Sequence, residues 1–210
     1  MSEYALYTKA LIGLLAIINP LGAIPIFLSL CGEKTAPEYR KIARTSALSV
    51  ALILLLSIWC GETILTFFGI SIPAFRAGGG LLILLMAISM LHAKQSQAKQ
   101  TLHEAEEANN KESIAVVPLA IPLLAGPGAI SLVIADAHQM VHLSGRIFLS
   151  VSAVAAALVV LLALSLAEPI GKKLGVTGLN ISTRIMGLLL AAIGIQMITS
   201  GLVILLPGLA

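Results

Sequence analysis

Apolar residues in this chain gather into long runs separated by short polar breaks. Six runs, at about 4–30, 44–68, 72–92, 114–136, 146–168 and 184–206, are long enough to cross a bilayer core of about 30 Å, which takes about 20 helical residues. The one long polar stretch, 93–113, is rich in Gln, Glu, Asn and Lys and separates the third run from the fourth. The pattern predicts an all-α, polytopic membrane protein. It divides into a three-helix unit over 1–92, a polar linker over 93–113 with some helical character near 102–108, and a second three-helix unit over 114–210.

The first run contains its own interruption, Asn19-Pro20-Leu21-Gly22-Ala23-Ile24-Pro25. Proline removes a backbone donor and clashes with the carbonyl one turn back, so two prolines and a glycine this close predict a broken helix. Hydrocarbon tolerates broken backbone only where protein or a water-filled cavity satisfies the freed polar groups. Discontinuous helices therefore often mark transport sites.

A repeat gives that motif a partner. Gly22-Ala23-Ile24 recurs 106 positions later as Gly128-Ala129-Ile130, and the same offset pairs Arg40 with Arg146, Glu62 with Glu168 and Gly69 with Gly175. After a two-residue insertion, Arg76 matches Arg184 and Gly79 matches Gly187. Apolar matches are cheap in so biased a sequence, whereas matched Gly, Arg and Glu are not. Each unit has an odd number of spans, so the second enters the membrane from the opposite side. The expected architecture is two inverted three-helix repeats with broken first and fourth helices.

Composition agrees: 58% of the 210 residues are hydrophobic, 11% are charged, and the mean hydropathy is +1.01. Globular chains carry roughly 25% charged residues, so a soluble domain is excluded. The net charge of +3 is spread over loops without interleaved aromatics, which argues against nucleic acid and for a phospholipid surface. Ten basic residues fall in the first, third and fifth loops and three on the other side. The positive-inside rule then puts both termini outside. The amino terminus lacks a cleavage pattern and is expected to be retained as the first span. Cys31 and Cys60 are expected near opposite membrane faces, too far apart for a disulfide.

At each break, freed amides and the start of the following half-helix offer positive partial charge suited to a carboxylate, while the carbonyls ending the preceding half suit an ammonium group or cation. A zwitterion fits both. The substrate-binding candidates are Asn19, Pro20, Gly22, Gly126, Pro127 and Gly128. The alternative is that Pro and Gly merely kink two spans for close packing. Glu62 with Arg76, and Glu168 with Arg184, are expected either as ion-pair gates near opposite faces, with a carboxylate able to carry a coupling proton, or as interfacial anchors. Gln196, Ser131, Ser182 and Thr183 are further cavity-lining candidates, and the spacing of His138 and His142 suits metal ligands only if their loop is helical. No nucleotide-binding loop, zinc helix or nucleophile elbow is present, so neither catalysis nor ATP hydrolysis has a motif behind it. No catalytic residue, metal or cofactor is expected.

The pair Asn19 to Pro25 and Pro118-Leu119-Ala120-Ile121-Pro122-Leu123-Leu124-Ala125-Gly126-Pro127-Gly128-Ala129-Ile130 resembles the MarC family of bacterial inner-membrane proteins, over essentially the whole chain. That family is related to small neutral amino acid transporters with substrates such as alanine and glycine. The resemblance is firmest at Asn19, Pro20, Gly22, Pro25, Gly126, Pro127 and Gly128. It implies a bacterial inner-membrane protein with a small neutral amino acid as substrate; the two midplane breaks add the expectation of a secondary transporter working by alternating access, and Glu62 and Glu168 that of proton or sodium coupling. Two other readings stand beside it: a drug efflux protein, against which the 4% aromatic content weighs, and a non-transporting membrane scaffold whose breaks are filled by packed side chains. The oligomeric state is left open.

Overall fold

The computed structural model describes residues 3–31, 34–92, 124–140 and 142–209. Among the described residues all regular structure is helical: α1 (Glu3–Ile18), α2 (Pro20–Cys31), α3 (Ala36–Phe67), α4 (Ile72–Leu91), α5 (Pro127–Gln139), α6 (Leu143–Ser165) and α7 (Ala167–Leu205), followed by a 3-10 turn at Pro207–Leu209. Five segments have membrane length and apolarity: Ala10–Cys31, Ala36–Phe67, Ile72–Leu91, Leu143–Ser165 and Thr177–Leu205. The polar linker and the first part of the expected fourth span, with Pro118 and Pro122, lie outside the described residues. Six spans were expected, and five are seen among the described residues.

Two boundaries differ from the sequence expectation. The second span begins at Ala36 rather than 44, because the Thr35 amide and hydroxyl both donate to Glu38 (3.0 and 2.7 Å) and Pro37 stands in the first turn. Those interactions start a helix before the apolar run begins. Arg40, Lys41 and Arg44 are therefore exposed helical residues rather than loop residues. The last helix begins at Ala167 rather than 184 and is interrupted at Gly175, which adopts φ 62° and ψ 179°, so its membrane-length part starts at Thr177. Gly69, between α3 and α4, has φ 68°. These two, the only described glycines with positive φ, are the pair matched by the 106-residue offset.

Packing is organised by antiparallel pairs. Glu62, near the end of α3, meets Arg146 at the start of α6, and the Trp59 indole donates to the Ser150 hydroxyl at 3.1 Å. The most extensive interface joins α4 and α7. A Cβ on Gly80 would lie 2.7 Å from the Gly194 carbonyl oxygen, and one on Gly194 would lie 2.8 Å from that of Gly80. One on Gly201 would meet the Pro73 carbonyl at 2.5 Å. Backbone thus packs on backbone, the close approach small residues permit between membrane helices. Around these pairs runs a core in which Leu14, Ile24, Phe27, Leu54, Leu149 and Leu164 are fully buried.

Candidate site at the helix breaks

The first break is a single residue. Asn19 has φ 47°, a left-handed conformation that Asn tolerates better than most side chains because its short amide can bond locally. Its amide donates to the Leu15 carbonyl at 3.0 Å, ending α1. Its side-chain Oδ1 then accepts from the Gly22 amide at 3.1 Å, capping α2, with Pro20 in the first helical position. Asn19 Oδ1 is therefore committed to its own backbone. Only Nδ2 points elsewhere, 3.9 Å from Met90 Sδ. A Cβ on Gly22 would collide with Asn19 Nδ2, so glycine there is what lets the cap close.

These contacts set up a stability comparison. Asn19→Gly keeps the backbone conformation and costs a few tenths of a kcal/mol in capping. Asn19→Val loses the cap and strains a β-branched residue at positive φ, for about 2–3 kcal/mol. Thermal unfolding of the purified protein in detergent should rank wild type, Gly and Val in that order; equal midpoints for Gly and Val would remove the left-handed link.

The second break carries no such cap. Leu124, Ala125 and Gly126 are buried, Gly126 (φ −73°, ψ 175°) stands at the N-cap of α5, and Pro127 opens the helix. Gly126 has no side chain with which to cap the helix start. The first-turn amides of Gly128 and Ala129 have no carbonyl one turn back, and both residues are buried. Where the 106-residue offset has Asn19 in the first break, it has Ala125 in the second, which cannot cap the helix as Asn19 does.

The two breaks come together. A Cβ on Gly128 would lie 3.6 Å from Ile17 Cγ2, and one on Gly13 would lie 3.7 Å from Leu132 Cδ2. Four residues along α1 thus answer to four residues in reverse along α5, and the same register brings Asn19 level with Gly126. From α4, Ile83 presses on Gly128, and Gly79 makes room for Ser131. Ile17, Ile18 and Ile83 are 4%, 1% and 1% exposed, so the junction is packed with aliphatic side chains. Its polar content is the Asn19 amide, Ser131 and the start of α5.

The charged candidates are distributed differently from expectation. Glu62 bonds to Arg146 Nη2 at 3.1 Å and to His138 Nδ1 at 3.0 Å, not to Arg76. Glu168 accepts from Lys172 Nζ at 2.7 Å, not from Arg184. Both pairings are corrected by topology: the end of α3 abuts the start of α6, whereas α4 turns away beyond Gly69 to pack on α5 and α7. The hydrogen bond and charge of Lys172 hold the exposed Glu168 carboxyl below its ordinary pKa. That pairing is present above the ordinary carboxylate pKa and is lost only as pH falls through the lowered value. Arg76 is half-buried and its Nε is buried without a hydrogen-bond partner among the described residues; Arg184 is exposed.

His138 is the Glu62 partner and His142 begins α6, and among the described residues no group of three potential ligands could hold a metal ion. Ser131 is 2% exposed at the junction. Gln196 faces outward and Thr183 bonds to the Leu179 carbonyl at 2.9 Å, so neither lines the breaks. Cys31 is buried, Cys60 is exposed, and both are free. Sequence reasoning missed Arg146 and His138 as partners of Glu62. The signal available for Arg146 was its match with Arg40 at the 106-residue offset, which marks it as a charged helix-end residue; His138 had no such signal.

Several apolar helices of membrane length, one of them broken within its span, define an integral multi-pass α-helical membrane protein. The chain belongs to the MarC family, whose profile, described as MarC family integral membrane protein, matches residues 4–206. Among its relatives, the UPF0056 membrane protein YhcE of Escherichia coli is 44% identical, covering 99% of this chain and 96% of its own. A UPF0056 membrane protein of Aquifex aeolicus is 37% identical, with 96% and 95% covered. The UPF0056 membrane protein MJ1677 of Methanocaldococcus jannaschii is 39% identical, with 93% and 95% covered. No solved structure matches the chain.

Proposed function

We propose that this protein is a secondary transporter of a small neutral amino acid, working by alternating access around the two helix breaks in the bacterial inner membrane, with both termini outside. The observation that carries this reading is the packing of α1 on α5 at Ile17 against Gly128, which brings the half-buried Asn19 break alongside the buried start of α5. The substrate carboxylate binds the uncapped amides of Gly128 and Ala129 at the start of α5, favoured by the helix dipole. Asn19 Nδ2 faces the substrate beside them, and Pro20, Gly22 and Pro127 hold the two turns in shape. The close packing of Ile17 and Ile83 on Gly128 restricts the site to small side chains.

Alternating access is supported by signs of an inverted repeat: the 106-residue offset, the paired positive-φ glycines Gly69 and Gly175, and the antiparallel packing of α3 on α6 and of α4 on α7. In such a pair the repeats exchange conformations, so contacts at one end are exchanged for their equivalents at the other. The equivalent of the pair Glu62 with Arg146 is Glu168 with Arg40. We assign these reciprocal pairs as gates at opposite ends, one closed here and the other open, with Glu168 parked on Lys172. Proton or sodium coupling acts through Glu62 and Glu168 as the pairs exchange, and Arg76 and Arg184 are interfacial anchors.

Counterflow of labelled alanine and glycine in proteoliposomes, with imposed pH and sodium gradients, tests the reading. Gly128→Leu should lower flux by about tenfold or more, through overpacking against Ile17 and Ile83. Gly78→Leu, in open space, should not. Flux indifferent to Gly128→Leu would remove the site. One observation favours a second reading, a non-transporting scaffold: the breaks are filled by packed isoleucines. Absence of flux under every gradient would turn the assignment that way.

A further inference from the structure

Five hydroxyls along the membrane helices satisfy themselves on their own backbone. Ser57, Thr66, Ser89, Thr183 and Thr199 donate to carbonyls one turn back on their own helices, between 2.7 and 3.1 Å. Gln196, the larger side chain with both a donor and an acceptor group, makes no such bond. Its side chain is exposed on α7, and its amide has no hydrogen-bond partner among the described residues. It lies nine residues before the end of the helix at Leu205, or about 13 Å along the axis. Exposed Leu202, Val203, Ile204, Leu205 and Leu206 follow it, which sets it well inside the hydrocarbon. Lipid tails offer no donor or acceptor, and a primary amide facing them is costly.

The surrounding face is patterned. Ile185, Leu189, Ala192, Gln196, Thr199 and Val203 are all exposed and follow one another at alternating steps of four and three residues. That is the spacing of a coiled-coil seam. Gln196 occupies a central position of the seam, and its neighbours within it, Ala192 and Thr199, are small enough for close approach of a second helix. A carboxamide both donates and accepts, so it is complementary to itself. Two copies inserted in the same orientation are related by an axis along the membrane normal, which brings like residue to like residue on parallel helices. One buried amide in an otherwise apolar parallel seam sets register and favours a pair.

We infer that the exposed seam of α7 is the interface with a second copy of this chain, with Gln196 bonded to Gln196 of the partner subunit. The inference is independent of the substrate and of whether transport occurs.

Cysteine crosslinking in intact membranes tests it, in a chain carrying Cys31→Ala and Cys60→Ser. Ala192→Cys and Thr199→Cys keep Gln196 in place and should give disulfide-linked dimers on mild oxidation. Leu82→Cys, exposed near the middle of α4, should give few. Adding Gln196→Leu to Ala192→Cys should weaken association by roughly three- to tenfold, the range of interhelical polar contacts in membranes, whereas Gln196→Asn retains the partnership. Crosslinking at Leu82→Cys equal to that at Ala192→Cys, or no change with Gln196→Leu, overturns the proposal. Förster transfer between labelled full-length chains in liposomes reads the same outcome without the engineered thiols.

Discussion

Gly80→Ala should lower the stability of the protein by about 1–3 kcal/mol, the usual range for overpacking a tight interface. Gly78→Ala, two residues earlier on the same helix, should leave it unchanged or raise it by up to about 1 kcal/mol, since alanine is the better helix former. The contrast arises because one added methyl meets the Gly194 carbonyl and the Ile198 amide within 2.8 Å, while the other meets nothing within 4 Å. Neither obstacle is a side chain that can rotate aside. Relief requires α4 and α7 to separate along their whole contact, which includes Gly187 against Ala87 and Gly201 against Pro73. Gly194→Ala should match Gly80→Ala from the other side of the interface, and the double variant should cost less than the sum, because once the helices have parted the second methyl finds room. Thermal or denaturant unfolding in detergent reads these differences. Equal behaviour of Gly78→Ala and Gly80→Ala would show that the two helices do not rest on backbone contact.

Charge reversal at the ends of α3 and α6 is the second large effect. Arg146→Glu sets two carboxylates where Glu62 now has a cation at 3.1 Å, and should reduce counterflow by about tenfold or more, the equivalent of losing about 1.4 kcal/mol from the closed state. Combining it with Glu62→Arg restores opposite charges and should recover most of the flux. The same pair of substitutions at Arg40 and Glu168 should behave alike if the two ends exchange roles, although those residues do not touch in the conformation described. Rescue at the first pair but indifference at the second would leave Glu62 with Arg146 as a fixed strut. The pair is half-exposed, so its effect on stability alone should be small. That separates a gating loss from an unfolding one.

Membrane residence, the helical class, the broken first span and the helix start at Pro127 were legible in the sequence. Each follows from local chemistry: long apolar runs, prolines inside one of them, and a repeat carrying Gly, Arg and Glu at a constant offset. The ion-pair partners were not. Proximity in the chain suggested Glu62 with Arg76 and Glu168 with Arg184, but pairing follows which helix ends adjoin. Nor did the sequence give the role of Asn19. Its carboxamide looked free for a ligand, and the fold commits the acceptor half of it to the Gly22 amide.

By itself, then, the sequence determined that the first span breaks at Asn19 and that a helix starts at Pro127, because proline and glycine act on their own backbone and need no neighbour. Only the tertiary structure decided that Asn19 stands level with Gly126, that Ile17 and Ile83 close the space between the breaks, and that Arg146 is the partner of Glu62. These depend on the register between antiparallel helices. Register is set by where backbone can approach backbone, at Gly80, Gly194 and Gly201, and no pattern within one helix encodes the position of its partner.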